Sequence, residues 1–132
     1  MDDATSGLGD SCMDGSRGGA AGGLGISVEH PSDGVVVVSP SGELDMSNGE
    51  VLEEAIDKAR QGGATTLIVD LRDLSFMDSS GLRLLLDTWN ESKLSDRRLS
   101  IVVAKTGLVR RVLEISGCDT ILPVVDDLNE AL

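Results

Sequence analysis

The sequence predicts an α/β fold, a mostly parallel sheet of four to five strands with one antiparallel edge strand and about four helices. Three observations carry this. Two β-branched runs, VVVVS at 35–39 and TTLIVDL at 65–71, are apolar enough for strands buried on both faces. Segments with helical spacing alternate with such runs. GISVEH at 25–30 alternates instead, and PSDG at 31–34 carries turn chemistry, so the chain opens with a hairpin.

Taken in order, VVVVS is followed by SNGEVLEEAIDKARQGG at 47–63. Ser47 and Glu50 have the spacing of a capping box, and Leu52, Ala55, Ile56 and Ala59 recur at helical intervals. Gly62 and Gly63 supply the stop. TTLIVDL is the expected central strand. The helix after residue 79 carries Leu82, Leu85, Leu86 and Trp89 on one stripe, and Leu84 falls off it beside Asp87, Thr88 and Glu91. RLSIVVA at 98–104 reads as a strand and TGLVRRVLEISG at 106–117 as a short helix. DTILPVV at 119–125 reads as a last strand, placed at an edge by Pro123, and DDLNEAL at 126–132 begins a final helix.

Residues 1–24 contain seven glycines and no apolar periodicity, and they read as a disordered acidic tail before a single domain at 25–132. A partner-binding arm is the other reading of that tail. The chain of 132 residues is large enough for a real core, which must be aliphatic because Phe76 and Trp89 are the only aromatic residues. The net charge of −12 argues against nucleic acid and against a membrane surface, and favours a protein partner with a basic face. MDDATSGLGD lacks the apolar core of a secretory signal, and no segment has the apolar length of a membrane span. Cys12 and Cys118 imply no disulfide framework, so a cytoplasmic location is expected. Cys12, Cys118 and His30 show no ligand spacing, and neither metal nor cofactor is expected.

The segment LSFMDSSGLRLLL at 74–86 departs from packing grammar. Asp78 or Ser79 can cap the following helix, which accounts for the residue types. The doublet Ser79–Ser80 offers more hydroxyl than one cap requires. It also follows the central strand, and the carboxyl edge of an open α/β sheet is where ligands and partners are met.

SGELDMSN at 41–48, LIVDLRDLSFMDSSGLRLLL at 67–86 and LVRRVLEISG at 108–117 resemble the STAS-domain anti-sigma factor antagonists of bacterial partner-switching systems. The resemblance runs from residue 25 to the end. It implies phosphorylation of Ser79 by an anti-sigma factor that is itself a serine kinase, and reversal by a PP2C-type phosphatase. It further implies that the unphosphorylated form binds the anti-sigma factor and frees its sigma factor. Such a protein is a regulator and not an enzyme, with no catalytic residue.

Around Ser79, the partner surface is expected at Asp78, Ser80, Gly81, Arg83 and Leu84. Glu43 and Asp45 join it from the GELD element, and Gly81 would let a kinase backbone approach. Arg83 lies four residues from Ser79, about one helical turn. A phosphate at that helix start would meet the positive end of the macrodipole.

Two other classes compete. A phosphoryl receiver would use Asp70 as acceptor and Lys105 as its lysine, but lacks an acidic pair after the first strand to hold Mg²⁺. A serine hydrolase lacks the first elbow glycine, replaced by Met77, and has only His30 as a base. A STAS regulator of a non-sigma partner remains the third alternative.

Overall fold

A computed structural model describes residues 23–132. The expected tail and Cys12 lie outside the described residues, apart from Gly23 and Leu24. Leu24 already belongs to the domain: it opens the first strand and is buried in the core.

The sheet begins with β1 (Leu24–Ser32) and β2 (Val35–Leu44), an antiparallel hairpin closed by Asp33 and Gly34. Asp-Gly suits a two-residue turn. Gly34 has φ +77°, and a Cβ there would lie 2.7 Å from Thr65 Oγ1. Helix α1 (Gly49–Gln61) returns over the sheet to β3 (Thr66–Asp70). A short strand, β4 (Leu74–Met77), leads directly into helix α2 (Ser79–Leu94). Then follow β5 (Arg98–Val102), α3 (Leu108–Ser116), α4 (Cys118–Ile121), β6 (Val124–Val125) and α5 (Leu128–Ala131).

The strand order is β1-β2-β3-β5-β6, with β4 beside β2, and every pairing except β1·β2 is parallel. Strand β2 serves two parallel neighbours in succession. Val35–Val38 pair with β3, and Gly42–Leu44 pair with β4. Pro40 falls in the gap between them, where its missing N–H costs no ladder bond. A proline can therefore sit inside a ten-residue strand.

One face of the sheet carries the main core. Leu52 and Ile56 from α1, Leu85 from α2, and Val109 and Leu113 from α3 pack on Val36, Val38, Leu67, Val69 and Ile101. The opposite face holds a smaller cluster of Val37, Ile68, Val102 and Ala131, closed by α5.

The structure corrects four local expectations. Among the described residues the sheet has six strands and there are five helices, because β4 and α4 were not anticipated. Residues 118–121 form a helical turn where a strand was expected: Gly117 at φ +79° ends α3 and the chain re-enters helix at once. The capping box is absent, since α1 starts after Asn48 and the Ser47 hydroxyl donates to Asp45 Oδ1 at 2.5 Å instead. Finally, Leu84 is half-buried against the main core, so it does not stand out as an exposed contact. The fully buried line of α2 runs through Gly81, Leu85, Thr88 and Ser92.

Candidate functional site

The site forms where β2 and β4 end side by side. The Asp78 N–H donates to the Leu44 carbonyl at 3.2 Å, which ties the start of α2 to the end of β2. Asp78 is extended and caps α2. Its Oδ1 accepts the Ser80 N–H at 2.9 Å, the Ser80 hydroxyl at 2.5 Å and the Gly81 N–H at 3.4 Å. The Ser80 hydroxyl is the largest of the influences holding this carboxyl below its ordinary value; backbone N–H groups of Ser80, Gly81 and Met46 add to it against some desolvation.

The two serines are thereby given different tasks. Ser80 is half-buried with its hydroxyl committed to Asp78. Ser79, the first residue of α2, is exposed, and its hydroxyl makes no hydrogen bond among the described residues. Of the two capping candidates, Asp78 is the one that caps.

Gly81 faces inward. A Cβ at this position would lie 2.4 Å from Met77 Cγ and 3.0 Å from Leu44 Cδ2, so only glycine lets α2 sit this close to β4 and β2. Close packing accounts for this residue without any approaching partner. Arg83 is exposed one turn after Ser79 and forms no ion pair among the described residues.

The loop after β2 closes the other side. Asn48, 2% exposed, accepts the Asp45 N–H at 3.0 Å and donates its amide to the Glu43 carbonyl at 2.9 Å. Asp45 in turn accepts the Ser47 N–H at 2.9 Å. These bonds hold residues 43–48 in one shape, with Glu43 exposed opposite Phe76 in the β2·β4 ladder. The structure thus brings Glu43, Asp45, Asp78, Ser79, Ser80 and Arg83 to one rim.

Sequence reasoning missed two residues of this rim, Met46 and Phe76, which are 81% and 38% exposed. Phe76 was legible only with β4 recognised, since its exposure follows from the strand's register. Nothing in the pattern marks Met46 as exposed.

The competing chemistries find little to use. Asp70 is buried and held by Arg72, which donates through Nε to Oδ1 at 2.9 Å and through Nη2 to Oδ2 at 2.8 Å. That hydrogen-bonded pairing raises the Arg72 pKa above its ordinary value. Among the described residues no three His, Cys, Asp or Glu side chains come together as metal ligands. His30 lies on β1, in a different part of the fold from α2. No helix among the described residues is long and apolar enough to cross a membrane.

What the rim offers is an exposed, uncommitted hydroxyl at a helix start, flanked by apolar and charged side chains. Such a surface suits binding and covalent modification. The STAS domain model matches residues 28–131, and the chain belongs to that family. It is 33% identical over 100 residues to the anti-sigma-F factor antagonist RsfB of Mycobacterium tuberculosis, covering 76% of this chain and 80% of RsfB. A crystal structure of an anti-sigma factor antagonist from Mycobacterium paratuberculosis superposes with a TM-score of 0.72 at 32% identity, covering 82% of this chain and 90% of that one. The anti-sigma factor antagonist SpoIIAA in its unphosphorylated form gives 0.65 at 32% identity, with coverage of 78% and 88%. Its phosphorylated form, from Bacillus, gives 0.59 at 30% identity, with coverage of 78% and 91%.

Proposed function

We propose that this chain is an anti-sigma factor antagonist whose binding is switched off by phosphorylation of Ser79. The observation that carries the reading is the division between the serines: Ser80 is locked onto Asp78, and Ser79 presents a free hydroxyl on the rim. Support comes from the names of its relatives and from a phosphorylated state in SpoIIAA. The partner is an anti-sigma factor with serine kinase activity, and a PP2C-type phosphatase restores the binding form.

Electrostatics gives the switch its sign. A phosphate adds about −1.5 to −2 charges at neutral pH. On Ser79 it lies beside the ionised Asp78 carboxylate and within the field of the α2 N-terminus. The macrodipole and the exposed Arg83 offset part of that charge, so the fold carries the modification. An interface closing over it must desolvate two neighbouring anions, so the complex weakens.

Ser79→Ala and Ser79→Glu baits, exposed to host lysate and then to the purified kinase they recover, test this. The Ala bait holds a serine kinase and the Glu bait does not, while both unfold within about 0.5 kcal/mol of the native chain. Kinase and ATP place an acid-stable phosphate on Ser79. Hydroxylamine-labile phosphate on Asp70 would overturn the assignment, as would equal capture by both baits. A captured partner unrelated to sigma control would keep the switch and replace the partner.

A further inference from the structure

Strand β1 forms one margin of the sheet. Gly23 and Glu43 form a hydrogen-bonded pair, with the Glu43 N–H donating to the Gly23 carbonyl at 3.3 Å. Alternation along an antiparallel ladder then makes Ile26–Pro40 and Val28–Val38 non-hydrogen-bonded pairs, as the proline at 40 requires. Ile26 and Val28 therefore turn their N–H and C=O groups away from β2, toward the open edge. The irregularity between Glu29 and Ser32, with Pro31 inside it, ends the usable edge on one side.

The same residues line a groove of about 460 Å³ between β1 and α1. Ile26, Val28 and His30 form one wall, and Val51, Ala55 and Lys58 the other. Val28 is 45% exposed. Among the described residues, an unpaired backbone edge and an exposed apolar side chain thus coincide.

We propose that this edge joins two copies of the chain, β1 adding antiparallel to β1 of a second copy about a two-fold axis at Val28. Centred there, Val28 faces its own equivalent and Ser27 faces Glu29. No like charges stand opposite each other, whereas centring on Glu29 would oppose two carboxylates. Helix α1 supplies the second match. It runs in the same direction as β1, because each reverses the direction of β2. In the dimer the two α1 helices therefore lie antiparallel beside the seam. The first half of α1 is acidic, with Glu50, Glu53 and Glu54, and Lys58 lines the groove one turn after Glu54, whereas Arg60 is held by Asp57 and Glu91 of its own chain. Antiparallel placement sets the acidic half of one helix toward Lys58 of the other. Residues 1–22 are a poor alternative occupant, since six of them are glycine, which weakens a strand.

The test uses the full chain. Sedimentation should show a concentration-dependent dimer, and Val28→Lys, which sets two cations on the axis, should raise its dissociation constant about tenfold or more. Lys58→Glu should weaken it less. In a Cys12→Ser background, Val28→Cys should cross-link to itself under mild oxidation, because opposed residues of a hydrogen-bonded pair have Cα atoms about 5.5 Å apart, within disulfide reach. Ser27→Cys, which faces position 29 of the second copy, should cross-link far less. A chain that stays monomeric at its highest soluble concentration overturns the proposal and leaves the edge to a strand of another protein. A dimer indifferent to Val28→Lys, or equal cross-linking at 27 and 28, overturns it too.

Discussion

The Ser80 hydroxyl donates to Asp78 Oδ1 at 2.5 Å, and the same oxygen accepts the Ser80 N–H at 2.9 Å. One carboxylate oxygen thus takes both donors of one serine and leaves the adjacent serine untouched. Ser80→Ala should therefore cost about 0.5–1.5 kcal/mol, the ordinary worth of a part-buried hydrogen bond, whereas Ser79→Ala stays within about 0.5 kcal/mol of the native chain. Paired urea titrations of the two variants read the difference directly.

Asp78 also sets an acid limit. Its carboxyl lies below the ordinary value of 3.8 in the folded chain. A depressed carboxyl contributes stability that is fully present above its unfolded value and lost as pH falls through its folded one. Asp78→Asn keeps a good helix cap but removes the charge. The native chain's advantage over Asp78→Asn should accordingly be constant near neutral pH and shrink on acidification below about 4. Unfolding free energies measured across that range give the answer, and a difference independent of pH would contradict the assigned shift.

Gly81→Ala sets helix propensity against space. Alanine gains up to about 1 kcal/mol in a helix interior. Its methyl would lie 2.4 Å from Met77 Cγ, so the side chains or α2 must move. Overpacking should win, with a net loss of about 1–3 kcal/mol. A variant more stable than the native chain would show that Met77 yields freely.

Asn48→Ala removes a buried amide that satisfies the Asp45 N–H and the Glu43 carbonyl. Leaving such groups unpaired costs about 1–3 kcal/mol. Amide exchange of residues 43–48 should accelerate in the variant while the β3 core stays protected. If the proposed function holds, the variant should also bind its kinase more weakly than Ser79→Ala does.

Much of the fold was legible because its signals are local. VVVVS and TTLIVDL are long enough and β-branched enough that burial on both faces leaves its mark in composition. β4 escaped because LSFM is four residues long with Leu74 and Met77 buried and the two between exposed, a pattern without clean alternation. Its register with β2 shifts between Gly42 and Glu43, which breaks that alternation. Residues 118–121 misled for the opposite reason. Thr120 and Ile121 have strand chemistry, but the chain has to leave α3 and reach the far margin of the sheet within a few residues.

At the site, residue types identified the stretch but could not by themselves separate Ser79 from Ser80, which only the resemblance did, or Asp78 from Ser79 as the cap. Those distinctions depend on where one carboxylate oxygen points. Leu84 was misjudged because an idealised stripe is narrower than the face α2 buries among β4, β5 and α1.

The division of labour at the rim also bears on how this protein can diverge. Asn48, Gly81 and Leu44, which shape the rim, are buried and constrained by their neighbours. Met46, Phe76 and Arg83 are exposed on it, and the Arg83 side chain forms no ion pair among the described residues. After a gene duplication, drift at those three positions could separate the copies into non-interfering channels while both kept the same scaffold and the same serine. Recognition can change at the surface without a new fold being invented.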